Sequence, residues 1–425
     1  MPEERSDEDP GSGESELESS DKEECDPAYS IVEMKRSRRG ALLEFRCRVE
    51  DAIRGNYLFG LKRGSFTSQE NAKKGDLNDI KLWGVPLLPS ENHEGIDIIL
   101  MKFLKAKNYK VHEAFTLLRR TLKWRADFNA DKILEENLMP EPDYLWFSNG
   151  MDKEGRPLCY NVLGKKSKEK SNKKFSSNGE KFKAFLRWRV QCVERGIQNL
   201  LFRPGGEDSI IQIIDLKNAP GTAAKEVILI CKKMMALLHD HYPGMVYKNL
   251  IINVPAWFMA LHALNLRLIT QRSKNQFVFV KPSKVTETLL KYATPENIVV
   301  EYGGLKREND IEFSTNDKVL EQNIRANTTD QIQIPTNEVE VTMTWDVTVV
   351  GYDVTYKEEF IPDDDCSYKI LLQKENKMGE TRRNSFHIRE PGKIVITIVN
   401  GSFTKKKVFY RYKSKPSVPM YMFLK

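Results

Sequence analysis

The chain is poor in cysteine. Its six residues, at positions 25, 47, 159, 192, 231 and 366 of 425, never form a CxxC pair. That excludes a zinc ribbon or a disulfide framework and reads as reduced thiols in a cytoplasmic protein. Nor is there any run near the ~18 apolar residues of a membrane-spanning helix, and the opening MPEERSDEDP is no secretory signal. An integral membrane protein is thereby excluded and secretion is argued against. GxxxxGK[ST] and GxSxG are both missing, so neither a P-loop nor a nucleophile elbow is supported. No other nucleophile, base or metal constellation assembles, so the expectation is a non-enzyme with no catalytic residues, no metal and no cofactor. His239-Asp240-His241 invites a metal reading, but on a helix successive side chains diverge by about 100°. A helix-end pair before Tyr242-Pro243 is favoured.

What the chain does have is charge, unevenly placed. The net is +7, yet residues 1–26 hold twelve acids and two bases, leaving the remainder at +17. Such an acidic head, nearly free of apolar residues, cannot offset the entropy of folding, and 1–40 is expected to be disordered, closing with the basic cluster Lys35-Arg36-Ser37-Arg38-Arg39. The basic body suits an anionic partner, either a membrane surface or nucleic acid. Residues 41–79 read as a short helix over 41–53 and a linker.

From Ile96 the apolar residues follow helical spacing: 96, 99, 100, 103 and 104, then 111, 114, 115, 118 and 122. This predicts a helical lobe over 80–138. Strand candidates at 158–163, 209–216, 249–254 and 276–281 then alternate with helical candidates at 180–201, 222–240 and 256–268, which indicates crossover units and a mainly parallel sheet over 139–308. Between them, 165–183 carries eight Lys and two Glu, a loop of high positive charge. After Gly303-Gly304 the period becomes two: Val341, Met343, Trp345, Val347 and Val349 alternate with polar residues. Further strands at 352–356, 368–373, 385–389, 393–399 and 407–413, with turns at Pro391-Gly392 and Asn400-Gly401, predict a β-sandwich over 309–425. Lys405, Lys406, Lys407, Arg411, Lys413 and Lys415 read as a basic terminal hairpin.

The segment Ala256 to Ile269 is apolar on nearly every face and ends in Arg272-Ser273-Lys274. Such a helix is either a buried cover on the sheet or a lid that meets lipid. Several motifs bear on the choice: WGVPLLPS (83–90), FLKAKNYKVHEAFTLLRRTLKWR (103–125), DKEGRPLCYNVLG (152–164), DLKNAPG (215–221), INVPAWF (252–258) and EYGGL (301–305). Together they resemble the CRAL-TRIO lipid-transfer family, and with the following TWDVTVVGYDVTY they resemble the patellins, in which a GOLD sandwich follows the lipid-binding domain. The resemblance implies an α/β plus all-β fold: a small helical lobe and a CRAL-TRIO αβ lobe with a lipid cavity, then a GOLD β-sandwich. It implies that 256–269 is a gate, with Trp257, Phe258, Leu261, Leu264 and Leu268 against lipid and Ile211 and Ile213 lining the cavity.

Carried over residue by residue, the family's inositol-phosphate site keeps one cation, Lys107. Its paired positions are Asn108 and Gly244, and a further lysine position is Gln276. Ser273 and Lys274 stand nearby in sequence. The choline-lipid hydroxyls match Ile210 and Gln212. Lys107 is thus either a headgroup contact, with Ser273 and Lys274, or the cationic end of a helix. The expected protein is a cytoplasmic, peripheral-membrane binder of a phospholipid, a phosphoinositide by preference, with membrane trafficking or cell-plate formation implied by resemblance alone. Lys165, Lys166, Lys405, Lys406, Lys407 and Arg411 are the expected contacts to an anionic membrane, and the GOLD domain could take a protein partner. An RNA-binding protein and an α/β enzyme are the rivals. The first is disfavoured because the aromatics sit in apolar helices and core strands, so no nucleic acid is expected.

Overall fold

The computed structural model describes residues 36–59, 80–88, 95–138, 144–163, 180–217, 224–256 and 276–416. The α/β plus all-β architecture expected from the sequence is the one found. The first layer is helical: α1 (Arg36–Arg54), α2 (Gly95–Ala106) and α3 (Val111–Phe128) pack around Phe45, Val49, Ile99, Phe103 and Leu118. A two-residue hairpin, β1 (Lys81–Leu82) and β2 (Val85–Pro86), carries the WGVP motif. α1 is longer than the 41–53 expected. Arg36, Arg38 and Arg39 form its first turn and a half, and the Arg38 guanidinium lies 5.1 Å from the Tyr109 ring centre. The basic cluster is therefore helical from Arg36 onward, because Leu42, Phe45 and Val49 behind it supply a buried face.

The second layer is a five-stranded sheet in the order β3-β4-β5-β6-β7, built from β3 (Tyr144–Met151), β4 (Pro157–Leu163), β5 (Ile210–Asp215), β6 (Val246–Ile252) and β7 (Phe277–Phe279). Only the β3–β4 pair is antiparallel. β3 escaped the sequence reading because it is an edge strand of mixed polarity. α4 (Glu180–Gln198) and α5 (Ala224–His241) are the connections between the parallel strands. Val190, Val193 and Ile197 of α4 share a core with Cys159 and Ile210 of the sheet. A Cβ at Gly196 would stand 2.8 Å from Ile210 and 3.0 Å from Cys159, so only glycine lets the helix lie this close. The opposite face packs Leu158, Tyr160, Ile211, Ile213 and Leu250 against α6 (Val285–Tyr292).

One buried ionic cluster joins the two layers. Arg125 of α3 donates to Glu194 of α4 at 2.6 Å, and Tyr242 donates its hydroxyl to the same oxygen at 2.5 Å. The Arg125 guanidinium also lies over the Trp83 ring, 5.6 Å from its centre. Burial opposes charge on Arg125, but the Glu194 carboxylate outweighs it and raises its pKa. Burial, and then the Glu194 charge, push the Tyr242 phenol well above its ordinary range.

The third unit is a β-sandwich. One sheet has the order β13-β10-β15-β8, from β8 (Leu320–Ile324), β10 (Val341–Val349), β13 (Arg382–Ile388) and β15 (Lys406–Pro416). The other has the order β12-β11-β14-β9, from β9 (Thr328–Thr336), β11 (Val354–Pro362), β12 (Ile370–Met378) and β14 (Gly392–Asn400). The alternation at 341–349 puts Met343, Trp345, Val347 and Val349 in the core. On the outer face of the same strand, Asp346 accepts from Arg307, Arg383 and Arg411. Burial resists ionisation of neighbouring Asp310, yet Arg383 and the backbone N–H groups of Phe313 and Glu312 hold its pKa at about 2. Thr348 and Thr381 donate to the carbonyls of Gly303 and Gly304, and Arg411 to that of Leu305. The EYGGL motif thus seats the sandwich on the end of the αβ lobe. Gly303 has φ +83°, and a Cβ there would lie 2.5 Å from the Thr286 hydroxyl.

Glu194→Gln removes one member of a buried pair and leaves Arg125 with the mostly exposed Asp131 carboxylate, 2.6 Å away, as its remaining acid, so it is expected to cost about 1–3 kcal/mol. The measurement is the shift of the chemical-denaturation midpoint. A shift equivalent to less than about 1 kcal/mol would mean that the pair behaves like a surface salt bridge.

Candidate functional site

The side chains of β4, β5 and β6 alternate between the two faces of the sheet, and each strand carries one amide residue among apolar ones: Asn161, Gln212 and Asn249. All three point to the face packed by α4. Register sets them in two rows. The first runs Cys159, Gln212, Asn249 and Phe277 across β4 to β7; the second runs Asn161, Ile214, Ile251 and Phe279. In the second row and beside it, Ile214, Leu216, Phe277 and Phe279 are only partly buried and pack against Ile251 and Val254. A contiguous apolar surface that its neighbours do not fully cover, set beside buried polar groups, is the composition of a pocket for an amphipathic molecule.

Arg189 of α4, 3% exposed, reaches down onto the polar residues. It donates to the Asn161 side-chain oxygen and, at 3.1 Å, to that of Gln212. Guanidinium has no acceptor, so both amides must turn their oxygens to it and their NH2 groups away. Asn161 Nδ2 finds the Cys159 carbonyl at 3.3 Å. Burial pushes the Cys159 and Cys192 thiols up to about 12, so these two cysteines are neutral, inert walls of the site.

The sequence-based site residues fall into three groups. Trp257, Phe258, Leu261, Leu264, Leu268, Ser273, Lys274, Lys165 and Lys166 lie outside the described residues. Ile211 and Ile213 correct the cavity reading. Their odd positions on β5 face the α6 layer with Leu250, Val280, Val285 and Leu289, away from the half-covered apolar rows. Lys107 is half-buried just beyond α2, where its N–H bonds the Leu104 carbonyl and its own carbonyl accepts from Lys110. Asn108 and Tyr109 follow at φ 49° and 62°, which ends the helix there. The cation that does reach Gly244 is Lys102. It is 6% exposed and donates to the Gly244 carbonyl at 2.9 Å, with Asp208 at 3.0 Å. Burial lowers its pKa, against the Asp208 charge. Gln276 donates to the Val246 carbonyl at 3.2 Å.

The basic C-terminal segment also needs correction. It is one strand, β15, between β10 and β8, and no hairpin. Arg411 is 2% exposed and bound to Asp346 and Asp310, so it cannot contact a membrane. Lys407 pairs with Glu321 at 2.7 Å. Lys405 is exposed and Lys406 partly so, and beside them Phe403 is 91% exposed. Missed from the sequence were Arg189, Asn161 and Asn249. The available signal was the single amide in each otherwise apolar strand.

Comparison with known proteins defines the class. Residues 142–304 match the CRAL/TRIO domain, and residues 325–407 match the Patellin-1-like C-terminal GOLD domain. Patellin-4 of Arabidopsis thaliana is 46% identical over 340 residues, covering 79% of this chain and 62% of Patellin-4. Patellin-6 of the same plant is 38% identical over 342 residues, covering 79% of this chain and 82% of Patellin-6. The phosphatidylinositol transfer protein SFH5 of Kluyveromyces lactis is 25% identical over 232 residues, covering 53% of this chain and 74% of SFH5. The chain belongs to the patellin family. It spans under two thirds of the length of Patellin-4.

The His239-Asp240-His241 motif ends α5 as a packing element. Asp240 accepts from Arg120 at 2.9 Å, and the His241 ring stacks on Trp124 with centres 4.2 Å apart. Burial lowers the His241 pKa from its ordinary 6.5 to about 4, against the pull of Asp240. The unfolded chain therefore binds this proton more readily than the fold. The stability contribution is complete above pH 6.5 and is lost as pH falls toward about 4. His241→Phe keeps the stack but not the titration, and thermal melts between these pH values are expected to depend less on pH than in the wild type.

Proposed function

We propose that the protein binds a phospholipid against the α4-side face of its five-stranded sheet and works, without catalysis, as a cytoplasmic peripheral-membrane carrier or sensor of that lipid. The observation that carries this reading is the partly covered apolar patch formed by Ile214 of β5 and Phe277 and Phe279 of β7, with Ile251 of β6 between them, beside buried amides. Interior sheet faces are ordinarily closed by packing, and exposed apolar area of this kind is lowered in free energy by acyl chains, at about 25 cal/mol per Å². Membership of the patellin family and the likeness to a protein named for phosphatidylinositol transfer support the ligand class. A phosphoinositide is the preferred headgroup, with Lys107, Ser273 and Lys274 as its proposed contacts. The apolar run 256–269 is the proposed gate. A role in membrane trafficking or cell-plate formation and a protein partner on the GOLD domain belong to the same reading.

Lipid extracted from the native full-length protein and identified by mass spectrometry tests it. One lipid per chain is the expected result, and a protein free of lipid after gentle purification would overturn the reading. Leu264→Asp is expected to lower the retained lipid while the melting temperature holds. Loss of the fold instead would assign 256–269 to the core, because a buried unpaired charge is strongly destabilising.

Membrane contact is proposed for Lys165, Lys166, Lys405 and Lys406, with exposed Phe403 as an inserting side chain. Each lysine near an anionic surface contributes about 1 kcal/mol. Lys405→Glu with Lys406→Glu should therefore weaken sedimentation with phosphoinositide vesicles more than tenfold, roughly, and salt should weaken the wild type. Binding that is indifferent to both would exclude this surface.

A further inference from the structure

One sequence pattern in the sandwich has no part in lipid binding: Arg382-Arg383-Asn384-Ser385-Phe386. Arginines three and two residues ahead of a serine, with an apolar residue after it, are what an arginine-directed serine kinase reads with acidic pockets and an apolar one. The segment lies in β13, which among the described strands is bonded to β10 alone and forms the edge of its sheet. An edge strand is extended and keeps one side open, as a kinase cleft requires of its substrate. Ser385 is exposed, and its hydroxyl has no hydrogen-bond partner among the described residues; its N–H bonds the Asn384 side-chain oxygen at 2.9 Å. The two arginines are not equivalent. Arg383 is committed to Asp310 at 2.7 Å and to Asp346 at 2.8 Å. Arg382 pairs with the Glu380 carboxylate at 3.1 Å, with 38% of its side chain exposed, and its Nε has no partner. Arg382 is therefore the cation that an acidic pocket can take over without disturbing the fold.

We infer that Ser385 is a phosphorylation site for an arginine-directed serine kinase, and that its phosphate rests on the positive outer face of the sheet formed by β13, β10 and β15. In the transfer the Ser385 Oγ forms a bond to the γ-phosphorus of ATP, the bond from that phosphorus to the ADP oxygen breaks, and the hydroxyl proton passes to the carboxylate base of the kinase. Alternation puts Arg383 and His387 on the same face as Ser385, and the register sets Thr344 opposite it, with Lys413 beyond on β15. The acids on this face are already engaged. Asp310 and Asp346 lie among Arg307, Arg383 and Arg411, two carboxylates to three guanidinium groups. Asp317 pairs with Lys413, Glu312 with Lys415, and Glu340 stands 3.6 Å from His387. Burial lowers the Arg307 pKa against the Asp346 charge, and Arg383 and Arg411 lower it further, the mark of a cluster with surplus positive charge. A phosphate that adds about −1.5 to −2 of charge beside this cluster is attracted to it rather than repelled.

The test uses the folded full-length chain, ATP and the catalytic subunit of cyclic-AMP-dependent protein kinase, an arginine-directed enzyme. Incorporated phosphate is mapped by peptide mass spectrometry in the wild type, Ser385→Ala and Arg382→Gln. Arg382→Gln removes the cation three residues ahead of the serine and keeps its stem, and it leaves the Asp310 and Asp346 cluster intact. The wild type is expected to take up one phosphate on Ser385, and Ser385→Ala none in that peptide. Arg382→Gln is expected to be labelled about tenfold more slowly or worse. The modified wild type is then melted beside the unmodified protein, and its melting temperature is expected to be equal or higher. No phosphate on Ser385, or phosphate there only after heat unfolding, would overturn the site, because the fold would then withhold the strand. Labelling of Arg382→Gln at the wild-type rate would overturn the arginine-directed reading. A lower melting temperature of the modified protein would overturn the placement of the phosphate on a positive face.

Discussion

Glu194 is buried, and the hydrogen bonds it accepts tie distant stretches of chain into one body. Its neighbours are Arg125 from the helical lobe and the Tyr242 hydroxyl from the turn after α5, with Trp83 of the small hairpin stacked beyond the arginine. A buried pair of this kind adds little stability over an apolar replacement, but removing one member disrupts the whole cluster, in which Arg125 also holds Asp131 at 2.6 Å. That asymmetry makes the arrangement all-or-none. The helical lobe cannot slide on α4 without breaking it, so the sheet face beneath α4 keeps one geometry. The motifs WGVP, LKWR and YPG, far apart in sequence, are thus parts of one contact.

The same device recurs at the other end of the αβ lobe. Asp346 sits in the outer face of β10 with three arginines around it, and Arg411 extends the network to the Leu305 carbonyl. Here the sequence misled in an instructive way. Counting charge along 405–415 gives a basic stretch, and a basic stretch reads as a surface for anions. Strand geometry sorts it differently: Arg411 turns inward to aspartates, Lys407, Lys413 and Lys415 pair with acidic side chains from 312 to 321, and only Lys405 and Lys406 beside Phe403 keep their charge for a partner. Charge density along a chain says nothing of which face each side chain takes.

The architecture was legible because it is written in periodicity. Helical spacing after Ile96 and strict alternation from Val341 to Val349 each have one structural solution that buries the apolar face. The strands of the parallel sheet were legible as apolar runs for the same reason that their faces were not: when both faces are buried, Ile211 and Ile213 look no different from Ile210 and Ile214. Only contacts with α4 or α6 separate them, and those are long-range. Edge strand β3 lacked a pattern, and the buried role of Arg189 could not be seen from a helix whose sequence mixes it with Arg187 and Arg195.

The placement of polarity within the sheet then becomes the informative quantity. On the α6 side the strands present mostly apolar residues, Leu158, Ile211, Ile213, Leu250 and Val280, and the buried Asp215 among them accepts from the Tyr302 hydroxyl at 2.9 Å. On the α4 side the protein keeps Arg189 and three amides in the interior, then leaves the adjoining Ile214, Phe277 and Phe279 partly uncovered. Burial of unmet polar groups and exposure of apolar ones are each unfavourable alone. Set in adjacent rows they suit an amphipathic molecule, the ligand class proposed for this face. A ligand that met both requirements would offset both costs, which is why the placement of polarity within the sheet supports the proposed lipid binding more directly than any single residue does.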